Sequence, residues 1–243
     1  MGEVICWASG KGGTGKTTVC ASVASCLAAQ QARVLCIDTD IGLRNLDIAL
    51  GMADQPAVAF TELLRGAYTL ADAAAHPQLP LLRFLTAPVR DDPVEPGAFG
   101  ALLDAARREF DFVLLDAPAG IGEGFRLATH YADRCVVVCN CDPASLRDAA
   151  HTAGLLRLTG KEGLSLLVNR VTPRRLRRLR LTIDDMMDQT ALPLLGLVPE
   201  DENAVFAAAA GQALLFATDT GAAEASLRIA RRLRGVATPL MNF

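Results

Sequence analysis

The sequence predicts a single-domain α/β fold, a mostly parallel twisted sheet flanked by helices, and three observations lead to it. Apolar runs typical of buried strands recur along the chain, with helical patterns between most of them. The composition is 51% hydrophobic but only 5% aromatic, which suits a buried sheet covered by alanine-rich helices. A glycine-rich loop joins the first apolar run to the first helical pattern. We therefore expect one domain over residues 1–243, with a core to residue 235 and a short tail at 236–243.

The predicted strands give this fold its order along the chain. They cover residues 4–8, 33–37, 81–85, 112–115, 134–139, 164–168 and 192–198. Right-handed crossovers between parallel strands place helices on both faces of the sheet and leave the ligand at the carboxyl ends of the strands. Residues that follow the strands are therefore the first candidates for a functional site.

Charge and cysteine content limit the class of protein. The net charge of −3 gives no global indication of nucleic-acid binding. No apolar run approaches the roughly 18 residues of a spanning helix, and no signal peptide is visible, so we expect a cytoplasmic protein or one peripheral at the inner face of the cell membrane. Seven cysteines without any C-x-x-C pair argue against a disulfide framework. Cys135, Cys139 and Cys141 share a strand face, but buried free thiols explain them better than a metal cluster.

The glycine-rich loop carries a phosphate-binding pattern. Gly10, Gly15, Lys16 and Thr17 satisfy G-x-x-x-x-G-K-[ST] between a strand and a helix. Glycines let backbone N–H groups close around phosphate oxygens, and the helix N-terminus adds partial positive charge. Lys16 can reach the β- and γ-phosphates, and the Thr17 hydroxyl can ligate Mg²⁺. The predicted nucleotide-binding residues of this loop are Lys11, Gly12, Gly13, Thr14, Gly15, Lys16, Thr17 and Thr18.

Lys11 is a second lysine in the loop, too early to be the ordinary phosphate lysine. A solvated loop charge is the simple explanation. The run K-G-G-T-G-K-T-T, however, resembles the deviant phosphate-binding loop of the MinD/ParA family of ATPases. The resemblance implies ATP as the nucleotide and an ATP-dependent homodimer, in which Lys11 reaches the partner's phosphates and stabilises transition-state charge as an arginine finger does.

Carboxylates follow two predicted strands. The run Asp38-Thr39-Asp40-Ile41-Gly42-Leu43-Arg44-Asn45-Leu46-Asp47 is either an Asp- and Asn-rich turn or a site for Mg²⁺ and attacking water. It resembles switch I of the MinD branch. That resemblance implies that Asp38 supports the metal through water, that Asp40 orients the hydrolytic water, and that Arg44 and Asn45 sense the nucleotide.

A second acidic strand end completes the predicted catalytic set. Asp116 ends an apolar strand as a Walker B residue does, so it is expected to hold Mg²⁺ indirectly, and the segment 117–122 resembles switch II with Ala117 in place of a hydroxyl or thiol residue. The predicted catalytic residues are Lys11, Lys16 and Asp40, and the predicted metal-site residues are Thr17, Asp38 and Asp116.

Two further segments fall in the same order as in the family. By resemblance, Asn169 and the turn formed by Pro199, Glu200 and Asp201 contact the adenine, although ordinary capping and turn chemistry would explain them too. A helix that opens near Pro143 matches the surface where relatives receive a MinC-like inhibitor or a MinE-like activator. Arg147 and Asp148 are expected to be exposed there, and a plain solvated helix face is the alternative.

The arginine-rich stretch at residues 170–180 and the C-terminal tail resemble the corresponding segments of the family least. Arg170, Arg174, Arg175, Arg177, Arg178 and Arg180 could hold DNA or anionic lipid, but a solvated loop with Leu176, Leu179 and Leu181 turned inward is the favoured interpretation. Residues 235–243 are too few for the membrane-binding amphipathic helix usual in the MinD branch, though Leu240, Met241 and Phe243 could add weak apolar contact.

The resemblance, together with these patterns, predicts a MinD-like ATPase. Mg·ATP would drive its dimerisation, slow and partner-activated hydrolysis would reset it, and the cycle would position a cell-division inhibitor. Two alternatives stay open. One is a ParA-like DNA- or cargo-partitioning ATPase, which the switch I run disfavours. The other is a regulatory adaptor, akin to flagellar-placement relatives, that binds nucleotide without turnover.

Overall fold

The computed structural model describes residues 1–89 and 94–241. Its sheet has the order β3-β4-β2-β5-β1-β6-β7-β8. All neighbouring strands run parallel except β3, which pairs antiparallel with β4. The strands are β1 (Glu3–Ala8), β2 (Val34–Asp38), β3 (Ala74–Ala75), β4 (Leu82–Leu85), β5 (Phe112–Asp116), β6 (Arg134–Asn140), β7 (Gly163–Val171) and β8 (Leu194–Pro199). The predicted fold class is confirmed.

Eleven helices cover the two faces of the sheet in the described residues. They are α1 (Lys16–Ala29), α2 (Leu46–Leu50), α3 (Phe60–Leu64), α4 (Pro96–Glu109), α5 (Glu123–Tyr131), α6 (Pro143–Leu158), α7 (Pro173–Leu179), α8 (Ile183–Thr190), α9 (Asn203–Ala209), α10 (Leu214–Ala217) and α11 (Ala222–Leu233). One core lies between the sheet and α1, α2, α9, α10 and α11. The other core lies between the sheet and α3, α4, α5, α6 and α8. A 3₁₀ turn at Leu70–Asp72 precedes β3.

The observed strands differ from the predicted ones by one or two residues at several ends, and more substantially at two places. The antiparallel β3 was not predicted, because two alanines give no periodic signal. Strand β7 runs beyond its predicted end to Val171, and its register with β8 shifts between Val168 and Val171. Arg170 has φ = 53° within that irregular stretch. Such a bulge bends the strand locally. Asn169 lies in this stretch and stays in register with Asn140 of β6, near the carboxyl end of β7 where the site lies.

All seven cysteines are buried and free. Cys135, Cys139 and Cys141 pack in the core beneath α4, α5 and α6. Burial raises the pKa of Cys139 to about 12, so its thiol stays protonated at neutral pH. Within the described ranges no three His, Cys, Asp or Glu side chains are grouped to hold a metal ion. These cysteines therefore act as small apolar core residues.

The predicted tail folds back on the domain. Arg228 donates to the carbonyl oxygens of Pro239 (3.1 Å) and Leu240 (3.4 Å), and Arg232 donates to that of Thr238 (3.0 Å). Leu240 and Met241 pack against the two cores, which leaves little of them free for the membrane contact suggested above. Phe243 lies outside the described residues. Nowhere in the described chain does a helix combine the length and the apolar character needed to cross a bilayer.

Candidate functional site

The glycine loop between β1 and α1 has the backbone shape of an anion site. Gly13 and Gly15 adopt φ values of 79° and 83°, in the left-handed region that favours glycine. Helix α1 starts at Lys16 with no side-chain cap and no acidic residue in its first turn. Its first amide groups therefore have no side-chain acceptor to satisfy them, and the helix dipole favours a negative charge at this point. A phosphate group fits both requirements.

Asn169 fixes the loop from the end of β7. Its Nδ2 donates to the carbonyl oxygen of Thr14 at 2.8 Å. A Cβ atom at Gly15 would collide with that Nδ2, so glycine lets the loop close against Asn169 in addition to adopting the positive φ angle. Nearby, the buried Thr14 hydroxyl has no hydrogen-bond partner in the described structure. A buried polar atom without a partner is costly, and a bound phosphate oxygen would supply one.

Lys16 and Asp116 form a buried ion pair under the loop. The Nζ of Lys16 lies 2.6 Å from Oδ1 of Asp116, and the two side chains are only 6% and 1% exposed. Burial alone would lower the pKa of Lys16, but the Asp116 carboxylate and its hydrogen bond outweigh burial and raise that pKa. The lysine is therefore held protonated beside the loop.

Two more carboxylates surround this pair. Asp38 ends β2 and stands directly beside Asp116 in the sheet register. Its carboxylate accepts from the backbone N–H groups of Asp40 (2.9 Å) and Leu46 (3.3 Å). Burial, and then repulsion from Asp116, raise the pKa of Asp38 to about 7 despite those bonds. Burial also raises the pKa of the half-buried Asp40, although Lys16 opposes the shift. The site has an excess of negative charge that a cation would relieve.

The donor set suits Mg²⁺ better than a metal that needs a protein cage. Carboxylate and hydroxyl oxygens come from Asp38, Asp116 and the half-buried Thr17 in the first turn of α1. Among residues 1–89 and 94–241, no three acidic, histidine or cysteine side chains are grouped so that they could hold a metal ion. Mg²⁺ commonly takes only one or two protein carboxylates and keeps several waters. That Thr17, Asp38 and Asp116 hold Mg²⁺ stays a prediction. The oxygen donors of these three side chains are of the kind that Mg²⁺ binds.

A cavity of about 500 Å³ opens beside the loop. All four residues predicted to contact the adenine line it, namely Asn169, Pro199, Glu200 and Asp201. The sequence did not predict that α9 lines the cavity, which it does through Ala204, Val205 and Ala208. A short alanine-rich helix carries no chemical signal that would have revealed it. The volume is sufficient for a small-molecule ligand such as a nucleoside.

The acidic residues of that cavity already have partners. Asp201 accepts from the backbone N–H groups of Asn203 and Ala222, each at 2.9 Å, and so caps the starts of α9 and α11. Glu200 pairs with Arg175 at 3.3 Å. For the Asp201 side chain, the structure therefore shows the helix capping that was the alternative to adenine contact. Contact with a bound base would have to use its backbone or the neighbouring Pro199.

Lys11 points away from the buried pair, toward α6. Its Nζ lies 3.7 Å from Asp142 and 4.0 Å from Asp148, and its side chain is 38% exposed. The loop and this helix are in close contact, since a Cβ atom at Gly10 would lie 2.8 Å from the Asp148 carbonyl oxygen. Arg147 is exposed as predicted, and the Asp148 side chain, 41% exposed, faces Lys11 beside the loop.

Both predicted switch segments adjoin the loop. In switch II, the Gly120 N–H donates to the Ser9 carbonyl oxygen at 3.0 Å, and Gly120 has φ = 88°. In switch I, Arg44 has φ = 45°, and its Nε donates to the Thr86 hydroxyl at 2.9 Å. Asn45 is the N-cap residue of α2 without a side-chain capping bond. Positive φ values are strained for arginine, and such strain is often found in segments that change conformation.

Comparison with known proteins shows the family to which the chain is similar. The family described as CobQ/CobB/MinD/ParA nucleotide binding domain matches residues 5–215. The septum site-determining protein MinD of Synechocystis sp. is 32% identical over all of this chain and 93% of its own length. The MinC:MinD cell division protein complex of Aquifex aeolicus aligns with a TM-score of 0.92 and 31% identity over 99% of each chain. MinD of Pyrococcus horikoshii, solved with Mg-ADP, aligns with a TM-score of 0.82 and 25% identity over 96% of each chain.

Proposed function

Since the chain belongs to the CobQ/CobB/MinD/ParA family of nucleotide-binding domains, we propose that it is a MinD-like ATPase that dimerises on Mg·ATP and is reset by hydrolysis. Its cellular role would be placement of the division septum, through recruitment or positioning of a division inhibitor. Full-length similarity to septum site-determining proteins supports this role. The observation that carries the mechanism is the separation of the two loop lysines, with Lys16 buried against Asp116 and Lys11 exposed against α6.

The buried residues would bind and orient the nucleotide. The loop amides and Lys16 would hold the phosphate oxygens, and Thr14 would gain the partner that it lacks. Thr17, Asp38 and Asp116 would hold Mg²⁺, which when bound would neutralise charge on the β- and γ-phosphates. Asp40 would orient the attacking water, because it lies at the same sheet edge and its raised pKa suits a group that interacts with a proton.

Lys11 would act in the partner subunit. Its only ion-pair partners in the described structure are Asp142, the N-cap residue of α6, and Asp148 of that helix, and both contacts are long for an ion pair. A half-exposed lysine so weakly held can move to a phosphate oxygen across a dimer interface at little cost. Hydrolysis by the isolated protein is then slow, because transition-state charge is stabilised only when the second subunit is present.

The test is Lys11→Ala, with Arg108→Ala as the matched loss of one exposed positive charge. We expect Lys11→Ala to abolish ATP-dependent dimerisation in analytical ultracentrifugation and to lower hydrolysis by about 10³-fold or more, the range known for charge donors supplied in trans. Arg108→Ala should change neither. Dimerisation and hydrolysis that survive in Lys11→Ala would refute the role in the partner subunit.

Partners and location follow from the same proposal. The Aquifex aeolicus relative was solved as a complex with MinC, so a MinC-like inhibitor is the expected partner, and a MinE-like activator would speed hydrolysis. We place both at the start of α6, where Arg147 is exposed and Asp148 touches Lys11. A partner bound there would sense the position of the lysine. The protein would work in the cytoplasm, and when dimeric at the inner face of the cell membrane.

A further inference from the structure

The cavity beside the glycine loop, about 500 Å³ in volume, has helix α1 as one of its walls. Thr18 and Ser22 of that helix both line it, and their i, i+4 spacing places them on one face. Thr18 is half-buried, whereas Ser22 is only 5% exposed. Apolar side chains also line the cavity, among them Val19, Val198 and Leu214. Ser22 therefore brings a hydroxyl to a part of the cavity that solvent scarcely reaches.

The Ser22 hydroxyl makes no hydrogen bond to any residue that the structure describes. A helical serine can satisfy itself by donating to the carbonyl oxygen four residues earlier. Ser25 of the same helix donates in this way to Ala21 at 2.9 Å. Ser226 of α11, which also lines the cavity, donates to Ala222 at 2.8 Å. Ser22 instead keeps both its donor and its acceptor capacity, and a ligand in the cavity can supply the partner that a buried hydroxyl needs.

The other polar side chains of the cavity are either bonded or open to solvent. Four are engaged within the protein, namely Asn169, Glu200, Asp201 and Ser226. Three are half-buried or exposed, so water can solvate them, namely Thr18, Arg170 and Glu202. Among the cavity-lining residues in the described part of the chain, Ser22 is thus the buried polar residue without a partner.

Arg175, the partner of Glu200, belongs to a short helix, which corrects the expectation of a solvated loop for the arginine-rich stretch. Thr172 caps α7 by accepting from the Arg175 N–H at 3.2 Å. Leu179 is 41% exposed, but the other two leucines pack inward as predicted, namely Leu176 and Leu181. The Glu200 carboxylate therefore has its partner on a fixed element of the fold.

Ser22 also lies at the distance from the glycine loop where a base is expected. It follows Lys16 by six positions, which is about 9 Å along the helix axis. Phosphates bound by the loop lie at the start of this helix. A ribose and most of a purine span a comparable distance, so a nucleotide that lies along α1 brings its base to Ser22. Since the purine is joined to the ribose through N9, the edge farthest from the sugar carries N1 and the group at C6.

We infer that Ser22 determines specificity for the base, because its Oγ accepts a hydrogen bond from the 6-amino group of adenine. This role rests on the proposed function, which places adenine in the cavity. The apolar side chains of Val19 and Leu214 offer the amino group no other acceptor. A purine that lacks the amino group would leave the Ser22 Oγ without a partner. A site built to hydrogen-bond a group discriminates against the ligand without it for this reason.

Isothermal titration calorimetry of Mg·ADP and of the 5′-diphosphate of purine riboside, which has hydrogen at C6, tests this contact. ADP is used because its binding involves no hydrolysis. The parent should bind ADP about 5- to 10-fold more tightly than the analogue, as expected when the loss of one hydrogen bond leaves a buried group unpaired. Ser22→Ala should bind ADP about 5- to 10-fold more weakly than the parent, and the analogue equally to within about 2-fold.

The matched control is Ser25→Ala. Its hydroxyl lies on the same helix, but it is bonded to Ala21 and does not line the cavity, so this variant should bind both nucleotides as the parent does. Circular dichroism and thermal melting establish that both variants fold.

Three results would overturn the role of Ser22. One is equal affinity of the parent and Ser22→Ala for ADP. Another is equal weakening of both nucleotides in Ser22→Ala, which would place the contact on another part of the ligand. The third is an equal loss in Ser25→Ala, which would trace the effect to the packing of α1. A parent that binds no ADP would refute the proposed nucleotide site itself, whereas a parent that binds ADP without discriminating at C6 would refute only the role of Ser22.

Discussion

At the scale of single residues, Asp38 shows how the site stores unfavourable charge. Its pKa of about 7 means that the folded protein holds this proton more tightly than the unfolded chain, where an aspartate titrates near 3.9. The contribution of Asp38 to stability is therefore complete below about pH 4 and is lost as the pH rises toward 7. Above pH 7 the folded state carries a buried, repelled carboxylate.

The substitution Asp38→Asn should remove that penalty. The amide keeps an acceptor for the Asp40 N–H but cannot ionise. In nucleotide-free protein we expect the variant to melt roughly 5 °C above the parent at pH 8 and to lose most of this advantage at pH 4. Scanning calorimetry at both pH values measures the difference, and the exposed Asp54→Asn serves as control. An advantage that is equal at both pH values would show that ionisation is not its cause.

At the scale of secondary-structure elements, His76 connects the loop after β3 to the end of α2. Its Nδ1 accepts from the backbone N–H groups of Gln78 and Leu79, both at 3.1 Å. Nε2 therefore carries the proton and donates to the Leu50 carbonyl oxygen at 3.0 Å. Burial lowers the pKa of His76, although the bond to Leu50 opposes the shift. The contact requires a neutral imidazole, and α2 begins within the last residues of switch I.

Acid should therefore loosen this connection. Because the folded-state pKa lies below the unfolded value of about 6.5, stability is complete above pH 6.5 and is lost as the pH falls below it. The variant His76→Gln cannot titrate, so its free energy of unfolding should fall less than that of the parent between pH 7 and pH 5. Urea unfolding measures this, with exposed His151→Gln as control. Parallel curves for parent and His76→Gln would contradict the assignment.

At the scale of the whole molecule, the tail and α11 protect the open edge of the sheet at β8. Unpaired edge strands invite association with other chains. Arg232 covers this edge from α11, donating to the Leu194 carbonyl oxygen and to the Thr238 carbonyl oxygen of the tail, each at 3.0 Å. One side chain thus satisfies an edge-strand acceptor and fastens the segment that lies over it.

Removing that side chain should expose the edge. For Arg232→Ala we expect faster hydrogen–deuterium exchange in residues 194–199 and 236–241, and a loss of about 2 kcal/mol in the free energy of unfolding, since hydrogen bonds from a charged donor are the stronger kind. Its neighbour Arg231 is exposed on the same helix, so Arg231→Ala is the matched control and should change stability by less than about 0.5 kcal/mol. Unchanged exchange in Arg232→Ala would rule out this role.

Local sequence patterns were sufficient to predict most of the fold. Apolar runs predicted every long strand, because burial on both faces selects hydrophobic residues without regard to what lies beside them. The two-residue β3 and the extension of β7 were not predicted, since neither shows a hydrophobic periodicity of its own. The phosphate loop could also be predicted from the sequence, because its glycines with positive φ and the helix N-terminus that follows them belong to residues adjacent in the chain.

The covalent order of residues determined the family, the glycine loop and the acids at the strand ends. The tertiary structure alone decided how they meet. Because β5 inserts between β1 and β2, Asp116 lies beside Asp38 and under Lys16, although 100 residues separate it from the lysine. Packing of α6 against the loop likewise gave Lys11 its acidic neighbours. Strand order and helix packing depend on contacts between distant segments, and such contacts leave no local pattern from which they could have been predicted.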